Sequence, residues 1–293
     1  MTAESSQAAP RFDDRLLEAF AASLSLSPRS VTAYKKCLAY FFKYLAGKGI
    51  ARPERGDIAA YQETLAASGK KAATVYSYLA AIRAFFRWTA ARGLYRNIAE
   101  KVFSAPVDHT PNRKTLIGPE LKKLMSCIDR GSLQGLRDYA ILAVMLTGGL
   151  SAFEVSRANV GDIRASGEGI LLDIRGGGQK RHAVKVPPRV MEALTEYLEA
   201  RGSRGPDAPL FTSLSMRNRD RNEHMSAGSI SRIVKEALRR AGYDDARLTA
   251  HSLKVSSMKL ALQRGERLED VQRFARHKHI RTTFLYEQTE LAP

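Results

Sequence analysis

The chain has 293 residues, enough for one large domain or two ordinary ones. Its 44% hydrophobic share, with helix and strand signals through most of the length, excludes a largely disordered chain. Lys and Arg number 47 against 30 Asp and Glu, and a formal charge of +17 spread along the chain calls for a polyanionic partner, nucleic acid first. No secretory signal opens the sequence and no apolar run is long enough to span a membrane, so the expected location is cytoplasmic, with no membrane partner. Cys37 and Cys127 lie in helical patterns and read as reduced structural residues. Neither a metal site nor a cofactor is expected.

Residues 1–12 are aperiodic and read as a flexible tail. Four helical patterns then fill residues 13–105. The first carries Leu16, Leu17, Phe20 and Leu24 on one face. The second opens at Ser27-Pro28, an N-cap followed by proline at the first helical position, and stops at Gly47-Lys48-Gly49. A third begins after Asp57 with Ile58, Tyr61 and Leu65 inward. The fourth runs from about Ala72, with Val75, Leu79, Ile82, Phe85 and Phe86 at helical spacing, to Gly93. Together they form a small bundle. Lys35, Lys36, Lys70, Lys71, Arg83 and Arg87 decorate it and are candidate DNA-binding residues, although each also fits an ordinary solvated face.

The stretch Ser104 to Lys114 has two prolines and no apolar period. It places a linker at 106–114 and a second domain at 115–293. There, helices are expected after Gly118-Pro119, over about Leu136–Leu146 and over about Ala152–Arg157. The period then changes. Gly169–Ile174 and His182–Val186 read as short strands joined by a basic turn, a hairpin with Lys180 and Arg181 near its tip. Helical patterns return at Val190–Leu198, Ser229–Ala241, Leu253–Gln263 and Leu268–Phe274. The fold class is mainly α with one small antiparallel β-sheet.

The C-terminal third is the most specific. HSLK at His251–Lys254, ARHKHIRTT at Ala275–Thr283, and Tyr286 stand in fixed order and spacing. Together they resemble the signature of the tyrosine recombinases, the phage integrase family. Leu136–Ile163 is similar to the stretch around that family's first catalytic arginine. The turn at Gly176–Lys180 is similar to the one carrying its catalytic lysine, and the bundle resembles its core-binding domain. The resemblance extends from about Asp13 to the end of the chain.

It implies a metal-free transesterification at a DNA phosphodiester. A tyrosine oxygen attacks phosphorus, a 5′ hydroxyl leaves, arginines stabilise the phosphoryl charge, and a lysine and histidines move protons. By resemblance, the candidate catalytic residues are Tyr286, His251, His277 and Lys254. Altered positions are Ser151, where the first arginine is expected, and Gly177, where the lysine is expected. Lys254 itself stands at the second arginine's position, where it keeps the charge but not the bidentate fork. Lys180 or Arg181 can stand in for Gly177. Arg157 is not expected to replace the arginine, because six residues turn it about 240° round a helix. Tyr286, with Phe284 and Leu285, also fits a plain packing residue, and Thr282-Thr283 reads as a helix start with no chemical role. The sequence ends seven residues after Tyr286, which leaves little for a subunit-exchanging tail.

The expected function is a double-stranded DNA-binding protein of DNA recombination or integration, catalytically impaired and accessory to an active partner recombinase. Alternatives are an active atypical recombinase using Tyr286, and a transcriptional regulator on the same fold.

Overall fold

The computed structural model describes residues 12–103, 114–167, 169–176, 181–202, 205–215, 223–287 and 290–291. They fall into two compact units, one within residues 1–109 and one within 110–293.

The first unit is built from α1 (Asp14–Ala22), α2 (Pro28–Gly47), α3 (Arg55–Ala67) and α4 (Ala72–Ala91). Ser27 caps α2 as expected, its hydroxyl accepting from the Ser30 amide. Helix α3 starts three residues earlier than the sequence suggested, at Arg55. Asp57 is not its first cap but the third residue of a capping box, where its carboxylate accepts from the Glu54 amide. Fully buried Phe20, Phe41, Phe85 and Phe86 form the centre. Phe20 meets Phe85 edge-on with centroids 5.5 Å apart. Truncating Phe85 to Ala would cost about 3–5 kcal/mol through the cavity left behind.

The second unit contains α5 (Gly118–Ser126), α6 (Leu133–Gly148), α7 (Ala152–Val155), α8 (Pro188–Arg201), α9 (Ala227–Arg240), α10 (Ala250–Gln263), α11 (Leu268–Ala275) and α12 (Ile280–Glu287). Its strands are β1 (Lys114–Thr115), β2 (Ile163–Ser166), β3 (Gly169–Arg175), β4 (Arg181–Lys185) and β5 (Glu290–Leu291). Helix α6 is the hub. Residues 140–145 are all buried, so no solvent face remains in that stretch, which explains its continuous apolar run.

The sheet has three antiparallel strands in the order β2-β3-β4, not two. Strand β2 escaped the sequence reading because it lacks an alternating apolar pattern. It pairs with β3 with Arg164 opposite Leu171, and Arg164 reaches diagonally to Asp173 in an ion pair 2.9 Å long. Leu172 and Ile174 of β3 supply the inward face. Helix α7 is one turn long, shorter than the expected span to Arg157. β1 and β5 pair in parallel, Lys114 with Glu290 and Thr115 with Leu291. The amide of Leu116 donates to Ser256 Oγ of α10 at 3.0 Å. Among the described residues, no helix is long and apolar enough to cross a membrane.

Candidate active site

Helix α6 cannot continue past Gly148. Gly149 turns left-handed at φ 55°, and a Cβ there would meet the Phe274 ring at 2.7 Å, so only glycine fits. The chain reverses through Leu150 and restarts at Ser151, the N-cap of α7. The Ser151 hydroxyl and amide both donate to Glu154 Oε2 at 2.7 Å, and the Glu154 amide donates back to Ser151 Oγ at 3.3 Å. Residue 151, where the resemblance expects an arginine, is therefore committed to capping a helix.

Glu154 is buried and gathers the cations of the site. Lys254 Nζ of α10 lies 3.8 Å from Oε2, and Arg276 Nε donates to Oε1 at 2.7 Å. Burial pushes the Glu154 carboxyl up, but Lys254, Arg276 and the Ser151 amide outweigh it and hold the pKa below its ordinary value. Burial also strips water from Lys254. With Arg276 nearby, and despite Glu154, it brings the lysine down to about 8.

Arg276 was not identified from the sequence. It follows α11 at φ 60°, the single non-glycine residue with positive φ among those described. Its guanidinium turns inward. Besides Glu154 Oε1, it donates from Nη1 to the carbonyls of Phe274 at 2.7 Å and Gly148 at 3.2 Å, and from Nη2 to the carbonyl of Gly149 at 2.5 Å and to Glu154 Oε2 at 3.4 Å. Its side chain is 7% exposed. The only sequence signal was a basic residue directly before His277.

The opposite side holds the expected nucleophile. Tyr286 on α12 places its hydroxyl 3.0 Å from His251 Nε2 at the start of α10. The His277 ring lies beside the Tyr286 ring, centroids 5.6 Å apart and planes at 33°. His277 Nδ1 is 3.0 Å from the hydroxyl of Thr283, which is fully buried. Thr283 thus lies inside α12, which opens at Ile280, and not at a helix start. Burial first, then Lys254 and Arg276, pull His277 down to about 4, so its ring is neutral near pH 7.

The site therefore brings together His251, Lys254, His277, Tyr286 and Ser151. Gly177 and Lys180 lie outside the described residues. Arg181 is exposed at the first position of β4, directly opposite Arg175. Arg157 stacks on the Phe153 ring at 5.3 Å. Of the basic residues on the bundle, Lys36, Lys70, Lys71 and Arg87 are exposed. Lys35 pairs with Glu18 at 2.5 Å, and Arg83 donates to the Val102 carbonyl at 2.6 Å, which ties it to the end of its own unit. Among the described residues, no His, Cys, Asp or Glu cluster could hold a metal.

Known proteins resemble this chain in sequence and in fold. Residues 114–291 match the Phage integrase family, and residues 14–93 match Phage integrase, N-terminal SAM-like domain. The tyrosine recombinase XerD of Listeria monocytogenes is 26% identical over 265 residues, covering 89% of this chain and 88% of its own. The tyrosine recombinase XerC of Pelobacter propionicus is 28% identical over 278 residues, covering 91% and 87%. Among solved structures, the XerH recombinase bound to difH in a pre-cleavage complex superimposes with a TM-score of 0.73 at 18% identity, covering 93% and 90%. A lambda integrase dimer bound to a COC' core site does so at 0.72 and 17%, covering 94% of each chain.

Proposed function

This chain belongs to the phage integrase family, and we propose that it binds duplex DNA in recombination with an impaired strand-cleavage step. One observation carries the reading. All the guanidinium nitrogens of Arg276 are spent on Glu154 and backbone carbonyls, while Ser151 offers only a hydroxyl already bound to Glu154. Lys254, a point charge that itself faces Glu154 at 3.8 Å, is then the remaining described cation of this cluster to meet a phosphoryl group. Loss of a single donor to a developing oxyanion typically slows a reaction by about 10²–10³-fold.

The remaining groups still have chemistry to do. His251 is within reach to take the Tyr286 proton as the phenol oxygen attacks phosphorus. Lys254, with a pKa near 8, is largely protonated at neutral pH yet able to give its proton to a leaving 5′ oxygen. Slow cleavage, not total silence, is the expected behaviour. An accessory role, in which the chain holds DNA for a catalytically active partner recombinase, follows from that weakness. Binding is expected to involve several phosphates and to weaken steeply with salt.

The test is covalent capture. The protein is incubated with sheared duplex DNA from its own source, quenched with detergent, and assayed for protein-linked DNA beside Tyr286→Phe. Salt-sensitive binding with a sparse Tyr286-dependent adduct supports the reading. Strand exchange at the rate of ordinary recombinases overturns it in favour of an active enzyme, the reading favoured by the 3.0 Å contact between His251 and Tyr286.

A further inference from the structure

Glu154 shares its two oxygens between opposite ends of the domain's sequence. Oε2 takes the amide and hydroxyl of Ser151, and Oε1 takes Nε of Arg276, 122 residues away. Nη2 of Arg276 also reaches Oε2 at 3.4 Å. The hydroxyl at residue 151 and the guanidinium of residue 276 thus meet at one carboxylate. A long cation at position 151 would start from the Cβ that now carries that hydroxyl and would enter the space around Glu154 that Arg276 fills.

Reaching this place has a conformational cost. An L-residue with a Cβ is disfavoured at φ 60°, and only surrounding contacts sustain it. Those contacts are present. The guanidinium ties the end of α6, the Gly148 and Gly149 carbonyls, to the corner between α11 and α12. His277 is the next residue, and its amide donates to the Gln272 carbonyl at 3.1 Å, so the same corner sets where its ring begins.

We propose that Arg276 is a positioning residue that holds, from the corner between α11 and α12, the place at Glu154 that an arginine at position 151 would occupy. The two are mutually exclusive. Arg276 neutralises the buried carboxylate and fixes His277 without presenting a free N–H edge to DNA. The part concerning Glu154 stands independently of the impaired-cleavage reading; only the part concerning DNA rests on it.

The test is a cycle of four proteins: parent, Ser151→Arg, Arg276→Gly, and the double variant. Glycine accepts the left-handed corner without strain. Arg276→Gly should lower the melting temperature by about 5–10 °C, since it removes one partner of a buried ion pair. Ser151→Arg alone should also lower it, by crowding Glu154. The double variant should recover most of both losses, because one guanidinium then serves the carboxylate. If Arg276→Gly fails to fold, recovery of a folded double variant is the same result. Arg276→Lys, charged but without the fork, should fall between parent and Arg276→Gly. Additive losses, or a double variant worse than either single one, overturn the proposal. The DNA arm is read separately by covalent capture. Adduct should rise at least tenfold in the double variant and not in Ser151→Arg alone. A rise of equal size in Ser151→Arg alone overturns mutual exclusion. If no protein forms adduct while the melting cycle shows recovery, Arg276 keeps its assigned place and residual cleavage is what fails.

Discussion

On one side of the site, Tyr286, His251, His277 and Thr283 meet through hydrogen bonds between hydroxyls and rings. On the other, Ser151, Glu154, Lys254 and Arg276 meet through charge. The first side keeps the residue types that the family resemblance expects. The second has been rebuilt around a buried carboxylate, with a serine where one guanidinium was expected and a guanidinium where none was. Hydrogen-bonded positioning is unforgiving of substitution, since a neutral imidazole has one donor and one acceptor, and each must meet its match. A charge cluster can be balanced from any direction.

The sharpest way to break the comparison is at Tyr286. Tyr286→Phe should abolish covalent DNA capture while leaving duplex affinity within about twofold, measured by gel shift, because loss of a hydroxyl leaves the basic surface intact. Equal adduct from parent and variant would reduce the hydrogen-bonded side to packing. Next comes Glu154→Ala, which strands two buried cations. A buried pair broken on one side costs about 3–5 kcal/mol, so the melting temperature should drop by roughly 10 °C. A change under about 2 °C would mean that the charged side is not held together by this carboxylate.

A smaller effect is expected from Thr283→Val, which keeps the volume and removes the hydroxyl beside His277. Adduct yield should fall about tenfold, in line with one buried hydrogen bond, with His277 reoriented and the fold intact. An unchanged yield would show that His277 needs no such partner.

The smallest effects are in pH. Lys254 faces Glu154 from α7, and Arg276 and His277 from the corner after α11. Its folded pKa near 8 lies below the ordinary 10.5, so the unfolded chain binds the proton more tightly. Stability from this group is therefore complete above pH 10.5 and lost as pH falls to 8. DNA affinity should move the other way, weakening as pH rises through 8 and the charge is lost. Lys254→Arg should remove that inflection. His277 faces Lys254, Arg276, Thr283 and Tyr286. Its pKa falls from 6.5 to about 4, so its contribution is present above pH 6.5 and lost as pH falls towards 4. Melting curves between those values should show a decline that is shallower in His277→Gln.

The hydrogen-bonded side was legible through the family resemblance, whose motifs carry His251, His277 and Tyr286 at the expected spacing. The bundle was legible for a local reason: apolar period and the Ser27-Pro28 cap fixed α2 to the residue. Strand β2 was not, because its cross-strand ion pair leaves no apolar alternation to read. Arg276 was beyond reach for a deeper reason. Its partner lies 122 residues away, and its left-handed backbone is a property of the folded corner, which no local pattern in ARHKH announces. Thr283 was visible but assigned to a helix start, since spacing alone does not say which way a hydroxyl faces.

The two-residue pairing of β1 with β5 has a mechanical side. Lys114 and Thr115 are the first described residues of the second unit, and their backbone is laced to residues 290 and 291, four and five residues past Tyr286. The next residue, Leu116, is fastened to Ser256, two residues past Lys254. Three consecutive residues at the start of the second unit are thus fastened both to the strand that follows the nucleophile in the chain and to the helix that carries the lysine. Placing proline at 115 would remove an amide donor from that clasp and loosen both attachments at once.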